Sequence, residues 1–90
     1  MITKKKLDRA VEICRAKGVT RLILFGSAAK DLRGARDIDL GVDGIHGWDS
    51  IALAGELENE LGVNVDVVDI SKQSDFVSHI LKYGKVLYAG

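Results

Sequence analysis

The stretch Leu24-Phe25-Gly26-Ser27-Ala28-Ala29-Lys30-Asp31-Leu32-Arg33-Gly34-Ala35-Arg36-Asp37-Ile38-Asp39-Leu40 decides the reading of this chain. It runs from the end of an apolar segment into one that alternates acid and apolar residues. Strand side chains alternate faces with a period of two. Asp37 and Asp39 therefore point one way, while Ile38, Leu40 and Val42 point the other way, into a core. Two adjacent carboxylates repel, and setting them beside an apolar run costs stability unless something neutralises them. A divalent, oxygen-seeking cation does so, and Mg²⁺ is commonly held by one or two carboxylates plus substrate phosphates. A bare Asp-x-Asp is equally compatible with an edge strand that has a solvated acidic face. At the other end, Gly26-Ser27 follows an apolar run and precedes a helix start. That geometry aims backbone N–H groups and a hydroxyl at one spot, which suits an anion such as phosphate. Glycine lets the backbone approach closely. The alternative is a routine turn with Ser27 as the helix cap. Together, a phosphate cradle and an acid pair with nine residues between them describe a nucleotide site.

Outward from this stretch, helices and strands alternate. Thr3 caps a helix over residues 3–17, with Leu7, Ala10, Val11 and Cys14 on one stripe. Val19 to Phe25 reads as a buried strand, Ala28 to Leu32 as a short helix, and Asp37 to Asp43 as a second strand. Asp49 or Ser50 is expected to cap a long helix with Leu53, Leu57 and Leu61 on its inner face, stopped by Gly62. Val63 to Ile70 reads as a third strand. Ser71 or Ser74 caps a final helix whose stripe is Phe76, Val77, Ile80 and Leu81, and Lys85 to Tyr88 adds an edge strand. The expected fold is α/β of the α+β type, a mixed sheet of three to four strands flanked by helices, in a single domain over residues 1–90.

The third strand supplies another acid. Val63, Val65 and Val67 share the core parity, so Asp66 faces the opposite side with Asn64 and Val68. If this strand lies beside residues 37–43, Asp66 joins Asp37 and Asp39. Asp69 has the core-side parity and cannot join them without a bulge. A third carboxylate there could ligate a second metal and act as base toward an attacking hydroxyl. Its bland alternative is a solvent-facing strand residue.

Composition bounds the function. Ninety residues make one small domain, too short for a catalytic domain with a separate substrate lid. Thirteen basic residues balance thirteen acidic ones, which argues against general nucleic-acid binding and a polybasic membrane surface. One cysteine excludes an intramolecular disulfide and an all-cysteine zinc site. With no long apolar run and no signal-peptide pattern, a cytoplasmic protein is expected. The P-loop and dinucleotide-binding glycine motifs are absent. Lys30, Arg33 and Arg36 could reach triphosphate oxygens, Lys30 foremost for its closeness to Ser27; the alternative is a solvated basic loop. Lys4-Lys5-Lys6 reads as a solvated helix turn and Cys14 as a small buried residue. His46 and His79 lack partners at metal-ligand spacing. Trp48 could contact a partner or cover the core.

Gly26-Ser27, then Asp37-Ile38-Asp39, then the lone Asp66 resembles the DNA polymerase beta-like nucleotidyltransferase superfamily. Nearly the whole chain resembles its minimal nucleotidyltransferase (MNT) members, and Tyr83-Gly84-Lys85-Val86-Leu87-Tyr88 is similar to a common ending in that group. The resemblance implies that Asp37 and Asp39 bind Mg²⁺. It implies that Asp66 completes the metal site and activates the acceptor, and that Gly26 and Ser27 contact the triphosphate. The implied reaction transfers a nucleoside monophosphate, AMP from ATP, to a hydroxyl. The implied partner is a helical HEPN toxin, with a toxin tyrosine as acceptor and this chain as antitoxin. A domain this short with an exposed nucleotide cleft is also expected to self-associate or bind its partner.

Two departures stand out. The family often reads Gly-Ser-x-Ala-[Arg/Lys]-Gly, and Asp31 replaces the last glycine. The segment between Ser27 and Asp37 is one residue shorter than usual and ends in Arg36 instead of serine. An acid near the triphosphate opposes nucleotide binding unless it turns away. These departures motivate an alternative, a non-catalytic antitoxin that masks a HEPN protein sterically. A further alternative, modification of a small hydroxylated compound such as an aminoglycoside, calls for a larger chain with an added domain.

Overall fold

The computed structural model describes residues 2–90. Its elements are α1 (Lys4–Ala16), β1 (Arg21–Phe25), α2 (Ser27–Lys30), β2 (Asp37–Asp43), α3 (Trp48–Leu61), β3 (Asn64–Asp69), α4 (Asp75–Tyr83) and β4 (Lys85–Ala89). The expected alternation of helix and strand is borne out.

The strands form one mixed sheet in the order β3-β2-β1-β4. β1 is antiparallel to both β2 and β4, and β2 is parallel to β3. The parallel pair requires a crossover, and the 14-residue α3 supplies it. β4 sits at a sheet edge, as its position after the last helix suggested.

Period-two alternation gives the sheet two unlike faces. Leu22, Leu24, Ile38, Leu40, Val42 and Val65 are buried on one face under α1 and α3, with Ala10, Cys14, Leu53, Leu57 and Leu61. This is the main core. Arg9 of α1 pairs with Glu60 of α3 at 2.8 Å, and Lys17 pairs with Glu56 at 2.9 Å. Both pairs are exposed and screened by solvent, so burial holds the two helices. The other face is split. Ile23, Ile70, Val77 and Ile80 form a smaller cluster where α4 crosses the sheet, with Phe25 and Val68 partly buried against it. The uncovered remainder of that face carries the acids.

Several boundaries differ from the sequence expectation. β1 begins at Arg21 because the Val19 N–H closes α1 by bonding the Cys14 carbonyl at 3.1 Å. β3 is one residue shorter at each end than Val63 to Ile70. α2 occupies Ser27–Lys30 rather than residues 28–32. α3 is capped by neither Asp49 nor Ser50: it starts at Trp48 after Gly47, and the Ser50 hydroxyl bonds back to the Gly47 carbonyl at 2.7 Å. Ser74 caps α4, accepting the Val77 N–H at 3.0 Å. Of the expected α4 stripe only Val77 and Ile80 are buried, while Phe76 and Leu81 are exposed. Trp48 is 83% exposed and covers no core. Cys14 is buried, and that burial pushes its thiol up to about 12, so it is not a nucleophile. Among the described residues no helix is long and apolar enough to cross a membrane.

Candidate active site

The sheet register brings the three acids together. In the parallel pairing of β2 with β3, Asp37 lies opposite Asn64 and Asp39 opposite Asp66. All three carboxylates stand on the face that α1 and α3 leave open. Asn64 steadies Asp37, its side-chain amide donating to Asp37 Oδ1 at 3.2 Å. Asp39 is the most enclosed of the three. Its burial pushes the carboxyl above the usual carboxylate range, the charge and hydrogen bond of Asp66 push it further, and Asp37 adds to this.

The strand-to-helix turn meets this group at Asp39. Phe25 is the antiparallel partner of Asp39, so Gly26 follows directly beside it. Gly26 has φ +72°, and a Cβ there would collide with Asp39 Oδ2. Glycine is thus required both for the backbone angle and for the room it leaves the carboxylate. Gly26 holds the position before α2 with no side-chain cap, and Ser27 is the first helical residue, so the reading of Ser27 as a cap does not hold. Its side chain is exposed beside the acids' end of the sheet. The first N–H groups of a helix have no partner within it.

Lys30 ends α2 and lines a cavity of about 310 Å³ together with Gly26. Arg36 lines a different hollow with Glu58 and Asn64. Asp31 is exposed, and its carboxylate lies over Gly34 within its own turn.

Asp69 stands apart, as its parity requires. Its carboxylate accepts the Ser71 N–H at 2.9 Å and the Ser71 hydroxyl at 2.6 Å, and meets His46 Nδ1 at 2.8 Å. These hydrogen bonds, Ser71 first and His46 next, hold it down at about 2. His46 is therefore a hydrogen-bond partner of Asp69.

The acids suit an oxygen-seeking cation in one respect. Among the described residues no ion pair engages Asp37, Asp39 or Asp66, so their mutual repulsion is not answered by a lysine or arginine. Among the described residues no three His, Cys, Asp or Glu side chains are placed to hold a metal ion by themselves; Mg²⁺ commonly takes one or two carboxylates, with waters and phosphate oxygens as its other ligands.

Sequence reading missed Asn64 as the support of Asp37. It also missed the aromatic cavity beside Gly26, lined by Phe25, Phe76, His79 and Tyr83. The i, i+3, i+7 spacing of the last three was visible but resembles an ordinary core stripe.

The family model described as "Polymerase beta, Nucleotidyltransferase" matches residues 8–90. No curated protein matches the chain. Among solved structures, a toxin–antitoxin with AMP-PNP is 23% identical with a TM-score of 0.78, over 99% of this chain and 75% of that one. A structure described as the tri-AMPylated Shewanella oneidensis HEPN toxin in complex with MNT antitoxin is 22% identical with a TM-score of 0.77, over 97% of this chain and 72% of that one. A structure described as a candidate minimal nucleotidyltransferase is 28% identical with a TM-score of 0.72, over 93% of this chain and 94% of that one.

Proposed function

The chain belongs to the polymerase beta nucleotidyltransferase family, and from that premise we propose that it is a Mg²⁺-dependent nucleotidyltransferase acting as the antitoxin of a HEPN partner. It transfers AMP from ATP to a hydroxyl, a tyrosine of that partner. The observation that carries the proposal is the packing of Asp39 Oδ2 against Gly26 while Asp39 is in register with Asp66. It joins the acid group to the phosphate turn in one continuous site. The proposal takes residues 1–90 as a single minimal domain.

Asp37, Asp39 and Asp66 would hold the cation, which supplies charge stabilisation to the transferring phosphoryl group. The remaining work falls to the chain. Gly26 and the N–H groups opening α2 receive the β- and γ-phosphates, and the Ser27 hydroxyl adds a donor. Lys30 sets a positive charge beside the leaving pyrophosphate. Asn64 keeps Asp37 in place. The acceptor oxygen bonds to the α-phosphorus as the bond to the bridging oxygen breaks. Asp66 takes the hydroxyl proton, and pyrophosphate leaves. Such catalysis is mainly positioning and charge compensation. Asp31, folded over Gly34, lies within its own turn and does not of itself bar the triphosphate.

The test uses the chain co-expressed with its neighbouring HEPN protein, given ATP and Mg²⁺, with intact masses recorded for both chains. The proposal expects the partner to gain one or more AMP units with wild type and none with an Asp37→Asn/Asp39→Asn double variant. A stable complex from both versions, with no mass gain, would establish the sterically masking antitoxin instead.

A further inference from the structure

The cavity beside Gly26 has a composition that phosphate binding does not call for. It encloses about 310 Å³ between α2 and α4 at the end of β1. One wall is Gly26 and Lys30, and the opposite wall is an aromatic stripe on α4: Phe76, His79 and Tyr83. These rings are ordered by contact. Phe76 meets Phe25 edge-on with centroids 5.7 Å apart at 82°, and His79 lies 4.8 Å from Tyr83. Yet Phe76 is 53% and Tyr83 65% exposed, so this stripe is not core. α4 buries its other side, Val77 and Ile80, against the sheet.

We propose that this aromatic cavity receives the base of the donor nucleotide, with Phe76 and Tyr83 as stacking surfaces and His79 as a polar group at the base edge. The inference rests on the nucleotidyltransferase reading and adds a base-contacting subsite to it. Three observations favour the donor's base as occupant. The cavity shares Gly26 and Lys30 with the phosphate turn, so one molecule can occupy both. Phe25 is the cross-strand partner of Asp39, and such pairs have Cα atoms about 4.5–5.5 Å apart. That sets the cavity's Phe25 wall on the strand next to the acids, directly across from Asp39. Finally, in-line displacement sets the acceptor opposite the leaving pyrophosphate. With pyrophosphate at Gly26, the acceptor approaches from the Asp66 side, away from this cavity. A volume near 310 Å³ also lies at the lower end for small-ligand pockets, fitting one base better than a peptide segment.

The test separates base from phosphate. Calorimetry measures binding of AMP-PNP and of inorganic tripolyphosphate, each with Mg²⁺, to wild type, Phe76→Ala, Tyr83→Ala and Tyr83→Phe. Both rings are exposed, so these variants keep the core. Stacking on one ring is expected to contribute on the order of tenfold in affinity. The subsite predicts that wild type prefers AMP-PNP to tripolyphosphate. It predicts that each alanine variant loses on the order of tenfold for AMP-PNP alone, and that Tyr83→Phe retains wild-type affinity. Unchanged AMP-PNP affinity in both alanine variants would overturn the subsite and leave the donor site standing. Equal losses for both ligands would overturn it too, since the rings would then act through the phosphate turn. Failure of wild type to bind either ligand would overturn the nucleotidyltransferase reading itself.

Discussion

Asp39 and Asp66 face each other across the parallel pairing of β2 with β3, so that the Asp66 carboxylate acts on that of Asp39. Burial, then the charge of Asp66, raises the Asp39 carboxyl above its ordinary value. The sign of the linkage follows. A carboxyl raised in the folded state favours folding while protonated, and that contribution is lost as pH climbs from the unfolded value near about 4 through the raised folded value. At neutral pH, without a cation, the acid group therefore weakens the fold.

Asp39→Asn is accordingly expected to melt above wild type at pH 7 in chelator, with the gap narrowing toward pH 4. Mg²⁺ with AMP-PNP should reverse the order. Ligand at a hundredfold over Kd adds about 2.7 kcal/mol to a protein that binds it, and only wild type should gain that. Transfer by the variant should fall to background. Thermal melts across pH, with and without Mg²⁺ and AMP-PNP, check all three statements. A variant less stable than wild type at pH 7 in chelator would contradict the argument.

The legible part of this fold was the part governed by period-two alternation. Asp37 to Asp43 was bounded from sequence as it stands in the structure, and parity set Asp66 apart from Asp69 on the opposite side of its strand; that its strand lies beside β2, and so brings Asp66 to Asp39, is what the structure adds. The sequence was less informative where one signal has two physical outcomes. Phe76 and Leu81 have the spacing of a buried stripe, yet the nine-residue α4 covers only Ile23, Ile70 and their neighbours, leaving both exposed. Asp49 and Ser50 are good caps, yet α3 starts before them, because the turn at Gly47 already directs the chain into the helix. Trp48 had no pattern to place it.

The Asp69 network gives an acid-dependent prediction of opposite sign. Hydrogen bonds from Ser71 and His46 hold Asp69 down at about 2. The stability this contributes is present above the unfolded carboxyl value of about 4 and is lost as pH falls toward the folded value. The network ties the segment before α3 to the end of β3, and the Asp69 side chain is only 14% exposed. Ser71→Ala removes one of its donors, the hydroxyl, and keeps the backbone N–H. The expected loss is about 1 kcal/mol at pH 7, shrinking toward zero near pH 2. Urea unfolding at pH 7 and pH 3 measures it, and an equal loss at both would count against the ionic origin.

Tyr88 joins the last strand to the main core. Its hydroxyl donates to the Val19 carbonyl at 2.8 Å, and the Arg15 guanidinium lies 4.1 Å from its ring centroid. Burial raises the phenol above its usual value, so it stays a donor through the neutral range. Tyr88→Phe keeps the packing and leaves the Val19 carbonyl unsatisfied. The expected destabilisation is about 1 kcal/mol, flat between pH 5 and 8 on the order of the phenol's distance from titration. Chemical denaturation at both ends of that range decides it; a strong pH dependence would mean that another group is coupled to the site.

Two glycines with the same backbone sign separate strain from function. Gly26 has φ +72° and Gly62 φ +69°. A Cβ on Gly62, the residue ending α3, would meet nothing within 4 Å, whereas one on Gly26 would collide with Asp39 Oδ2. Gly62 is left-handed helical, with ψ +25°, where alanine costs about 1–2 kcal/mol. Gly26 has ψ −154°, a region that is essentially glycine's own, so alanine costs more there. Only Gly26→Ala must also move the carboxylate that joins the phosphate turn to the acids. Gly62→Ala should therefore lose the smaller amount of stability and keep AMP-PNP affinity in Mg²⁺. Gly26→Ala should lose more stability together with at least tenfold in affinity, about 1.4 kcal/mol. Denaturation curves and calorimetry on the same preparations provide both numbers. Equal ligand affinity in the two variants would show that the contact between Gly26 and Asp39 serves the fold alone.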